Sequence, residues 1–271
     1  MKKLSVLLSV WLLFLHVESQ AQLTTTVTRF ELGDPYNDQA FGLSMSPDGN
    51  QLFFVHSFGG RDQLKLMQSD KKKGKWTKPV PAFFGQVNTR EIDPFISPDG
   101  QTILFNSRRS VSNQQDKDLD VWMLKKLDGK WNIPFAIESI NTSEHETYAT
   151  IAASGNIYFG VNKTGGYGGG DIYVSKLENG KYLPAENVGF PINTDKDEGN
   201  CFIAPDESYM IFSANGYTSS FGGFDLYISF RKNNEWGISI NLGDKINTAD
   251  NDFCPTIFGP DTLFFARSRK E

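Results

Sequence analysis

Ser97-Pro98-Asp99-Gly100 stands between two apolar runs, and the run that follows it contains Ile103-Leu104-Phe105. Proline fixes the backbone φ angle and the Asp-Gly pair tolerates a tight reversal, so this stretch predicts a β-hairpin. The pattern returns along the chain, in full or in part, with its aspartate position at residues 48, 99, 154, 206 and 261, where residue 154 is a serine. A repeat with this spacing is the main signal in the sequence.

A second marker follows each of the first four turns and predicts the third strand of those repeats. It reads Asp120-Val121-Trp122, Asp171-Ile172-Tyr173 and Asp225-Leu226-Tyr227, with Asp62 as a degenerate first copy. An aromatic residue comes next, and each unit closes on Asn-Thr, at Asn88-Thr89, Asn141-Thr142, Asn193-Thr194 and Asn247-Thr248. Each unit therefore contains four short strands and no helical period, which is typical of a propeller blade.

The predicted fold class is all-β, a β-propeller of about five four-stranded blades. Residues 27–32 resemble the last strand of a unit, so we expect this N-terminal strand to close the last blade. The last blade still lacks a third strand in the sequence. Three explanations stay open: a three-stranded closing blade, a chain that stops early, or a strand donated by a partner through β-augmentation.

The N-terminus predicts export. Lys2 and Lys3 precede the apolar run Leu4 to Val17, and Ser19-Gln20-Ala21 offers small residues for cleavage. We expect a signal peptide over residues 1–21 and one propeller domain over 22–271, located in the periplasm or secreted; an uncleaved anchor is the alternative. The remaining chain has a net charge of −6, since removal of residues 1–21 leaves 25 basic and 31 acidic residues. We therefore expect no nucleic-acid partner.

Taken together, the Ser-Pro-Asp-Gly turns, the Gly-Gly-x-Asp-Ile/Leu-Tyr strands and the Asn-Thr closures resemble the WD40-like propeller repeat of bacterial envelope proteins, which includes the TolB propeller. The resemblance covers roughly residues 25–271. It implies the fold and a role in protein interaction. It lies in the repeat and not in a binding motif, so it implies no particular binding residue.

Acidic residues recur where the first strand of each unit begins. The set is Asp38, Glu91, Glu146, Glu198 and Asp252. Because innermost strands line the channel of a propeller, we expect these carboxylates to converge at one mouth of it. Such a ring binds a cation or cationic group, or raises the pKa values of its own members by repulsion. The alternative is that each carboxylate hydrogen-bonds the backbone of the next blade.

Other candidate chemistry is sparse, and no cofactor is predicted. His56 and His145 lie at dissimilar repeat positions, which argues against a catalytic triad. Asp116-x-Asp118-x-Asp120 has alternate carboxylates that suit calcium but lacks the Gly and Glu of the usual loop. Cys201 and Cys254 are expected on neighbouring innermost strands, either bridged or as two buried thiols.

Aromatic residues also recur on the outer part of each unit, where they either stack on sugars or pack between blades. They are Trp76, Trp131, Tyr182 and Trp236.

The sequence thus favours an exported, non-catalytic binding module for an envelope protein or a glycan. The alternative is a glycan-active hydrolase that uses carboxylates at the channel mouth, as sialidases and glycosidases do. A third hypothesis is a structural envelope component whose last blade is completed by a partner strand.

Overall fold

The structure, a computed structural model, describes residues 26–33, 36, 39–60, 63–86, 88–109, 118–162 and 165–268. The predicted signal peptide lies outside these ranges. Within these ranges every regular element is a β-strand, and turns and loops connect the strands. The described part of the chain contains no helix that is long and apolar enough to cross a membrane.

Four antiparallel sheets follow one another along the chain, and each is one blade. Blade 1 contains β1 (Ala40–Met45), β2 (Gln51–Ser57), β3 (Leu64–Lys72), β4 (Lys75–Trp76) and β5 (Val80–Pro81). Blade 2 contains β6 (Glu91–Ile96), β7 (Thr102–Ser107), β8 (Asp120–Leu127), β9 (Lys130–Trp131) and β10 (Phe135–Ala136). Blade 3 contains β11 (Glu146–Ile151), β12 (Ile157–Val161), β13 (Asp171–Ser175), β14 (Leu177–Glu178), β15 (Lys181–Tyr182) and β16 (Glu186–Asn187). Blade 4 contains β17 (Asp197–Ile203), β18 (Tyr209–Asn215), β19 (Asp225–Lys232), β20 (Glu235–Trp236) and β21 (Ile240–Asn241).

A fifth sheet contains β22 (Asn251–Phe258) and β23 (Thr262–Ser268). The first strands of the five sheets contact one another in sequence order, and β22 also contacts β1, so the ring is closed. These first strands surround the central channel. The prediction of an all-β propeller is confirmed, with four complete blades and one two-stranded sheet among the described residues.

The N-terminal segment lies where the closing strand was expected but does not form a regular strand. Its Phe30 ring contacts the ring of Phe264 on β23, with 5.4 Å between centroids, and that of Trp76 in blade 1 at 6.4 Å. A groove of about 620 Å³ remains between residues 27–32, β1 and β23. Side-chain packing rather than strand pairing therefore joins this segment to the ring.

The second strands are apolar on both faces because each blade is covered by a blade on either side. Phe53 and Phe54 are adjacent in β2, point to opposite faces, and are both fully buried. The core accordingly consists of clusters between neighbouring blades rather than one central core. This packing explains why the repeat reads as continuous apolar triplets instead of an alternating pattern.

Two faces of the ring are used below. The strand-start face is the one where the first strands begin. The turn face carries the Pro-Asp turns, in which Gly49 adopts a φ of +67° and its N–H donates to the carbonyl of Ser46. In blade 4 the corresponding position is Glu207, with a φ of +58°. Its carboxylate accepts hydrogen bonds from Ser154 and Tyr158 of blade 3 and pairs with Arg231, so this turn also connects two blades.

The recurring outer aromatics pack between blades, as one of the two interpretations of the sequence expected. The ring centroid of Trp131 in blade 2 lies 6.1 Å from that of Phe83, which follows blade 1. The ring centroid of Trp236 in blade 4 lies 6.5 Å from that of Tyr158 in blade 3. A cation stacks over the exposed side of each ring, Lys126 on Trp131 and Arg231 on Trp236. Each of these rings therefore contacts both a neighbouring aromatic ring and a cation.

Candidate functional site

Four of the predicted acidic residues each open or nearly open a first strand, and all four are buried, with only 0–1% of their surface exposed. In three of them a threonine four residues earlier binds the carboxylate through both its backbone N–H and its hydroxyl. The pairs are Thr142–Glu146, Thr194–Glu198 and Thr248–Asp252. The hydroxyl bonds measure 2.5, 2.5 and 3.0 Å. Each carboxylate thus fastens the turn that enters its own blade.

Two of the carboxylates are also neutralised by an arginine. Arg109 Nε lies 2.6 Å from Glu91, and Arg267 Nε lies 2.7 Å from Asp252. Both guanidinium groups also donate to a backbone carbonyl of the preceding inter-blade connection, that of Phe84 or Ile246. Charge-assisted bonds of this kind are the strong ones in proteins, so these junctions are held firmly.

Glu146 and Glu198 have no arginine, and their pKa values are raised. Burial is the main cause for both; it raises the pKa of Glu146 to about 7 against the opposing hydrogen bonds from Thr142. Asp120 and Asp118 raise it further by charge repulsion. The Oε2 atom of Glu146 is buried without a hydrogen-bond partner among the described residues. The Tyr217 hydroxyl, which also donates to the carbonyl of Ile192, takes the place of the arginine beside Glu198.

Asp38 lies outside the described residues. The strand register shows that Ala40, paired with His56, occupies the place in β1 that Glu91 and Glu146 occupy in β6 and β11. The acidic position is therefore absent from the first strand of blade 1.

The structure does not join the acidic residues to one another. Among the described residues, no hydrogen bond or ion pair connects any two of Glu91, Glu146, Glu198 and Asp252. Nor does that part of the chain contain three or more His, Cys, Asp or Glu residues grouped as metal ligands would be. Of the calcium candidates, Asp116 lies outside the described residues. The binding role predicted for the acidic set stays a prediction.

The asparagine of three of the four Asn-Thr closures completes these junctions. Asn193 accepts a hydrogen bond from the backbone N–H of Ile172 and donates to the carbonyl of the same residue, both at 2.8 Å. Asn141 and Asn247 do the same to Val121 and Leu226. The asparagine therefore holds its own blade while the adjacent threonine holds the next one.

The channel contains a different set of residues, which the sequence analysis missed. Each first strand has a β-bulge, and the residue with positive φ in the bulge lies two places beyond the acidic position. These residues are Gly42, Asp93, Tyr148, Asn200 and Cys254. The regular offset from the acidic residues was a usable signal, although only Gly42, Asp93 and Asn200 are residue types that favour this conformation.

Tyr148 reaches across the ring and fills the channel. Its hydroxyl, from blade 3, lies 3.0 Å from the carbonyl of Pro255 and 3.1 Å from Oγ1 of Thr256, both on β22. Its backbone N–H donates to Asp93, and burial raises the pKa of that carboxyl to about 7. Both residues are almost completely buried, so the middle of the channel is closed by side chains.

The two cysteines are free and buried, on the neighbouring first strands β17 and β22. Burial raises the pKa of the Cys201 thiol to about 12 and that of Cys254 well above its usual value. Both are therefore protonated thiols, the second of the two interpretations considered from the sequence.

The histidines have separate surroundings. His145 Nδ1 accepts a hydrogen bond of 3.0 Å from the backbone N–H of Leu119. His56 is buried between the rings of Tyr36 and Phe58, at 4.9 and 4.5 Å, and burial lowers its pKa. In neither case does the structure show a contact with a serine or cysteine nucleophile.

Exposed aromatic rings stand on the strand-start face, a second feature that the sequence analysis missed. Tyr167 and Phe221 occupy equivalent positions, four residues before Asp171 and Asp225, and each backbone N–H donates to that aspartate at 2.7 Å. Phe58 stands at the same offset from Asp62 in blade 1, and Phe190 lies in the connection between blades 3 and 4. We call these four residues the aromatic set; Phe190 is 74% exposed and the others about half exposed.

Glycines hold these loops against the next blade. A Cβ on Gly168 would meet the carbonyl oxygen of Lys196 at 1.8 Å, and one on Gly222 would meet that of Thr248 at 2.4 Å. The N–H groups of Gly169 and Gly223 donate to the same turns. The backbones that carry Tyr167 and Phe221 are thus fixed while their rings remain exposed.

Comparison with solved structures places the chain among TolB-like β-propellers in fold. It is similar to a putative TolB from Agrobacterium tumefaciens, with a TM-score of 0.54 and 14% sequence identity over 85% of this chain and 70% of that one. It is also similar to an α-L-arabinofuranosidase from Lactobacillus brevis, with a TM-score of 0.51 and 10% identity over 82% and 79% of the two chains. TolB from Acinetobacter baumannii matches with a TM-score of 0.49 and 14% identity over 76% of this chain.

The chain spans only 44% of the length of the Acinetobacter TolB. No protein-family model and no curated protein matches the sequence. These neighbours include a TolB and a glycoside-cleaving enzyme on the same architecture, so they establish the fold and leave the function to the site itself.

Proposed function

We propose that this chain is an exported, non-catalytic binding module that engages a protein or a glycan of the cell envelope through its strand-start face. The observation that carries the proposal is the pair of equivalent loops that present Tyr167 and Phe221. Rigid aromatic rings supply a large contact area at a small entropic cost, whether the ligand is a protein or a sugar. Phe58 and Phe190 extend the same face.

The burial and bonding partners of the acidic residues support a binding role over a catalytic one. A glycosidase needs two carboxylates roughly 5–9.5 Å apart with room for a sugar and a water molecule between them. Here Glu91 and Asp252 are buried in ion pairs, and Glu146 and Glu198 are buried against threonines. Tyr148 fills the channel beside them. The hydrolase remains the alternative, and the test below includes it.

The test uses residues 22–271, which retain every described residue, in a pull-down from detergent-solubilised envelope and on a glycan panel. We expect the double variant Tyr167→Ala/Phe221→Ala to lose the captured ligand. The matched control is Phe230→Ala/Ile240→Ala, which removes equally exposed apolar residues from blade 4 outside the strand-start face. Equal retention by both variants would place the contact elsewhere on the molecule.

The hydrolase alternative is measured on the same preparations with a panel of aryl glycosides. Our proposal expects no turnover above background. Turnover that disappears in Glu146→Gln or Glu91→Gln would replace the binding module with the hydrolase.

A further inference from the structure

We propose that the turn face of blades 1 and 2 is a docking surface for a membrane rich in anionic lipids. This surface lies on the opposite side of the ring from the aromatic set, so it is independent of the function proposed above. It rests on the position, charge and surroundings of two neighbouring hairpins, β3–β4 and β8–β9.

Both hairpins extend from the turn face. In blade 1 the N–H of Lys71 donates to the carbonyl of Asn50, the last residue of the Pro-Asp turn, and Lys71 pairs with Trp76 in the hairpin. In blade 2 the N–H of Lys126 donates to Gln101, and Lys126 pairs with Trp131. Each hairpin therefore leaves its blade at the level of the turn and continues outward beside it.

The two hairpins concentrate positive charge. Residues 70–78 and 125–130 contain eight lysines and two aspartates, a net charge of +6 in a chain whose total is −5. We call these eight the lysine patch: Lys71, Lys72, Lys73, Lys75, Lys78, Lys125, Lys126 and Lys130. Six are exposed and two half-buried, and no ion pair joins any of them to another described residue. A surface of this sign attracts an anionic partner.

The corresponding hairpins of blades 3 and 4 carry less unpaired charge, because Lys181 and Lys232 are their only cations without an ion pair among the described residues. Lys176 lies 2.8 Å from Glu186, and Arg231 lies 2.8 Å from Glu207. The unpaired positive charge is thus concentrated in one sector of the turn face, with eight lysines against the two of blades 3 and 4.

The turn aspartates of this sector weaken the field without reversing it. Asp48 is bonded to Ser46 and Asn50 within its own turn, and Asp99 to Ser97 and Gln101. Counting both aspartates with the two hairpins still leaves the sector at +4.

Aliphatic and aromatic side chains stand exposed among the lysines. Ile133, just beyond β9, is 86% exposed, and Leu127 at the hairpin tip is 60% exposed. Val80 and Phe135 begin the outer strands of the same two blades and are also largely exposed. Lysines around exposed apolar side chains are the composition of proteins that lie on anionic bilayers.

The same geometry favours a lipid surface over an acidic polysaccharide. The aromatic rings that could stack on sugars are covered: Trp76 by Phe30 and Lys71, and Trp131 by Phe83 and Lys126. The most exposed side chains, Ile133 and Leu127, are aliphatic, and the charges are spread over two hairpins rather than gathered in a cleft. Docked in this way, the ring holds its strand-start face away from the bilayer.

The test is sedimentation of residues 22–271 with vesicles of phosphatidylcholine alone or of phosphatidylcholine mixed with the anionic lipid phosphatidylglycerol. Residues 1–21 are omitted because their apolar run would itself bind lipid. We expect binding to the anionic vesicles only, weakening as salt rises. Failure to bind the anionic vesicles would overturn the proposal.

Charge variants locate the surface. Each lysine near an anionic membrane contributes about a fivefold change in partitioning, so Lys72→Gln/Lys73→Gln/Lys75→Gln/Lys130→Gln should bind more than tenfold more weakly. The control, Lys181→Gln/Lys196→Gln/Lys232→Gln/Lys245→Gln, removes the same charge from exposed lysines elsewhere. Equal loss in the two variants would mean that only net charge matters and would overturn the docking surface.

Apolar variants separate lipid from a soluble polyanion. Leu127→Ser/Ile133→Ser should weaken vesicle binding severalfold, whereas Ile238→Ser/Ile240→Ser, its counterpart on blade 4, should not. Suppose that Leu127→Ser/Ile133→Ser binds vesicles as well as the unchanged chain does, and that dextran sulfate displaces both proteins from the vesicles. The surface is then a general polyanion site, and the lipid assignment is wrong.

Discussion

A threonine and a carboxylate four residues apart form the unit that repeats at the blade junctions. Because the hydroxyl and the N–H of one threonine bind one carboxylate, the turn between blades is fixed by side chains rather than by strand pairing. Such bonds to a charged group contribute roughly 1.5–3 kcal/mol each. Their energy is offset by the cost of burying the carboxylate, and that cost is visible at Glu146.

Glu146→Gln should stabilise the protein at pH 8. Burial raises the pKa of Glu146 from 4.5 to about 7, so the native state holds a proton that the unfolded chain releases. The resulting stability is fully present below pH 4.5 and is lost as the pH rises through 7. We expect glutamine to raise the free energy of unfolding by about 1–2 kcal/mol at pH 8 and to change it little at pH 4.5. Urea denaturation at both pH values measures this.

Glu91→Gln is the matched control, since Glu91 holds the same position but pairs with Arg109. Removing one partner of a buried ion pair leaves the other charge uncompensated, so this variant should lose about 3 kcal/mol at pH 8. Destabilisation of both variants to a similar extent at pH 8 would show that Glu146 is stabilised as the anion.

At the scale of the element, close packing explains the glycine runs that precede Asp171 and Asp225, since no turn type requires so many glycines. Gly168 has an ordinary φ, so it is needed for space and not for conformation. The loop of one blade lies so close to the entry turn of the next that a methyl group would overlap a backbone carbonyl. The same closeness orients Tyr167 on the strand-start face.

Gly168→Ala should therefore destabilise the protein by roughly 2–3 kcal/mol, the cost of overpacking against an atom that cannot move aside. Gly199→Ala is the comparison, because a Cβ on Gly199 would have no atom within 4 Å. Thermal unfolding of the two variants checks the prediction, with a clear drop in Tm only for the first. Equal Tm values would show that the loop moves away at little cost.

The elements themselves were largely predictable, and the junctions were not. The Pro-Asp turns and the apolar triplets are local patterns, so Ile103-Leu104-Phe105 correctly predicted β7. What Asn193 and Thr194 bind depends on how two blades pack, which no local pattern encodes. Counting back from the turn as for Glu91 gives residue 40 in the first unit, which is also the register position of Ala40; Asp38 was included only as the nearest acidic residue.

The residues at the bulges were missed for a related reason. The bulge two residues beyond each strand start changes which side chains face the channel. Asp93 and Tyr148 bond each other across two first strands and Tyr148 reaches β22, while Glu91 bonds Ser107 and Arg109, and Glu146 bonds Thr142. A bulge built on Tyr148 rather than on glycine has no composition signal, so only the repeat offset could have revealed it.

At the scale of the molecule, Tyr148 connects blade 3 directly to the two-stranded fifth sheet. Tyr148→Phe removes this hydroxyl and keeps the ring, so we expect a loss of about 1 kcal/mol in the free energy of unfolding. Combining it with Thr256→Val should cost less than the two single changes added together, because both act on one contact. Strict additivity in equilibrium denaturation would mean that the cross-channel bond contributes nothing.

The asparagine and threonine at the closures that follow blades 2, 3 and 4 face opposite ways, one holding the blade just completed and the other the sheet about to begin. The same joint therefore recurs at these three boundaries between copies of the sequence repeat. Duplication or loss of one such unit, about fifty residues long and equal to a single blade, leaves no asparagine or threonine without its bonding partner. The number of blades can then change in evolution by simple copying, while the unlike joint at Ala40 marks where the ring begins and ends.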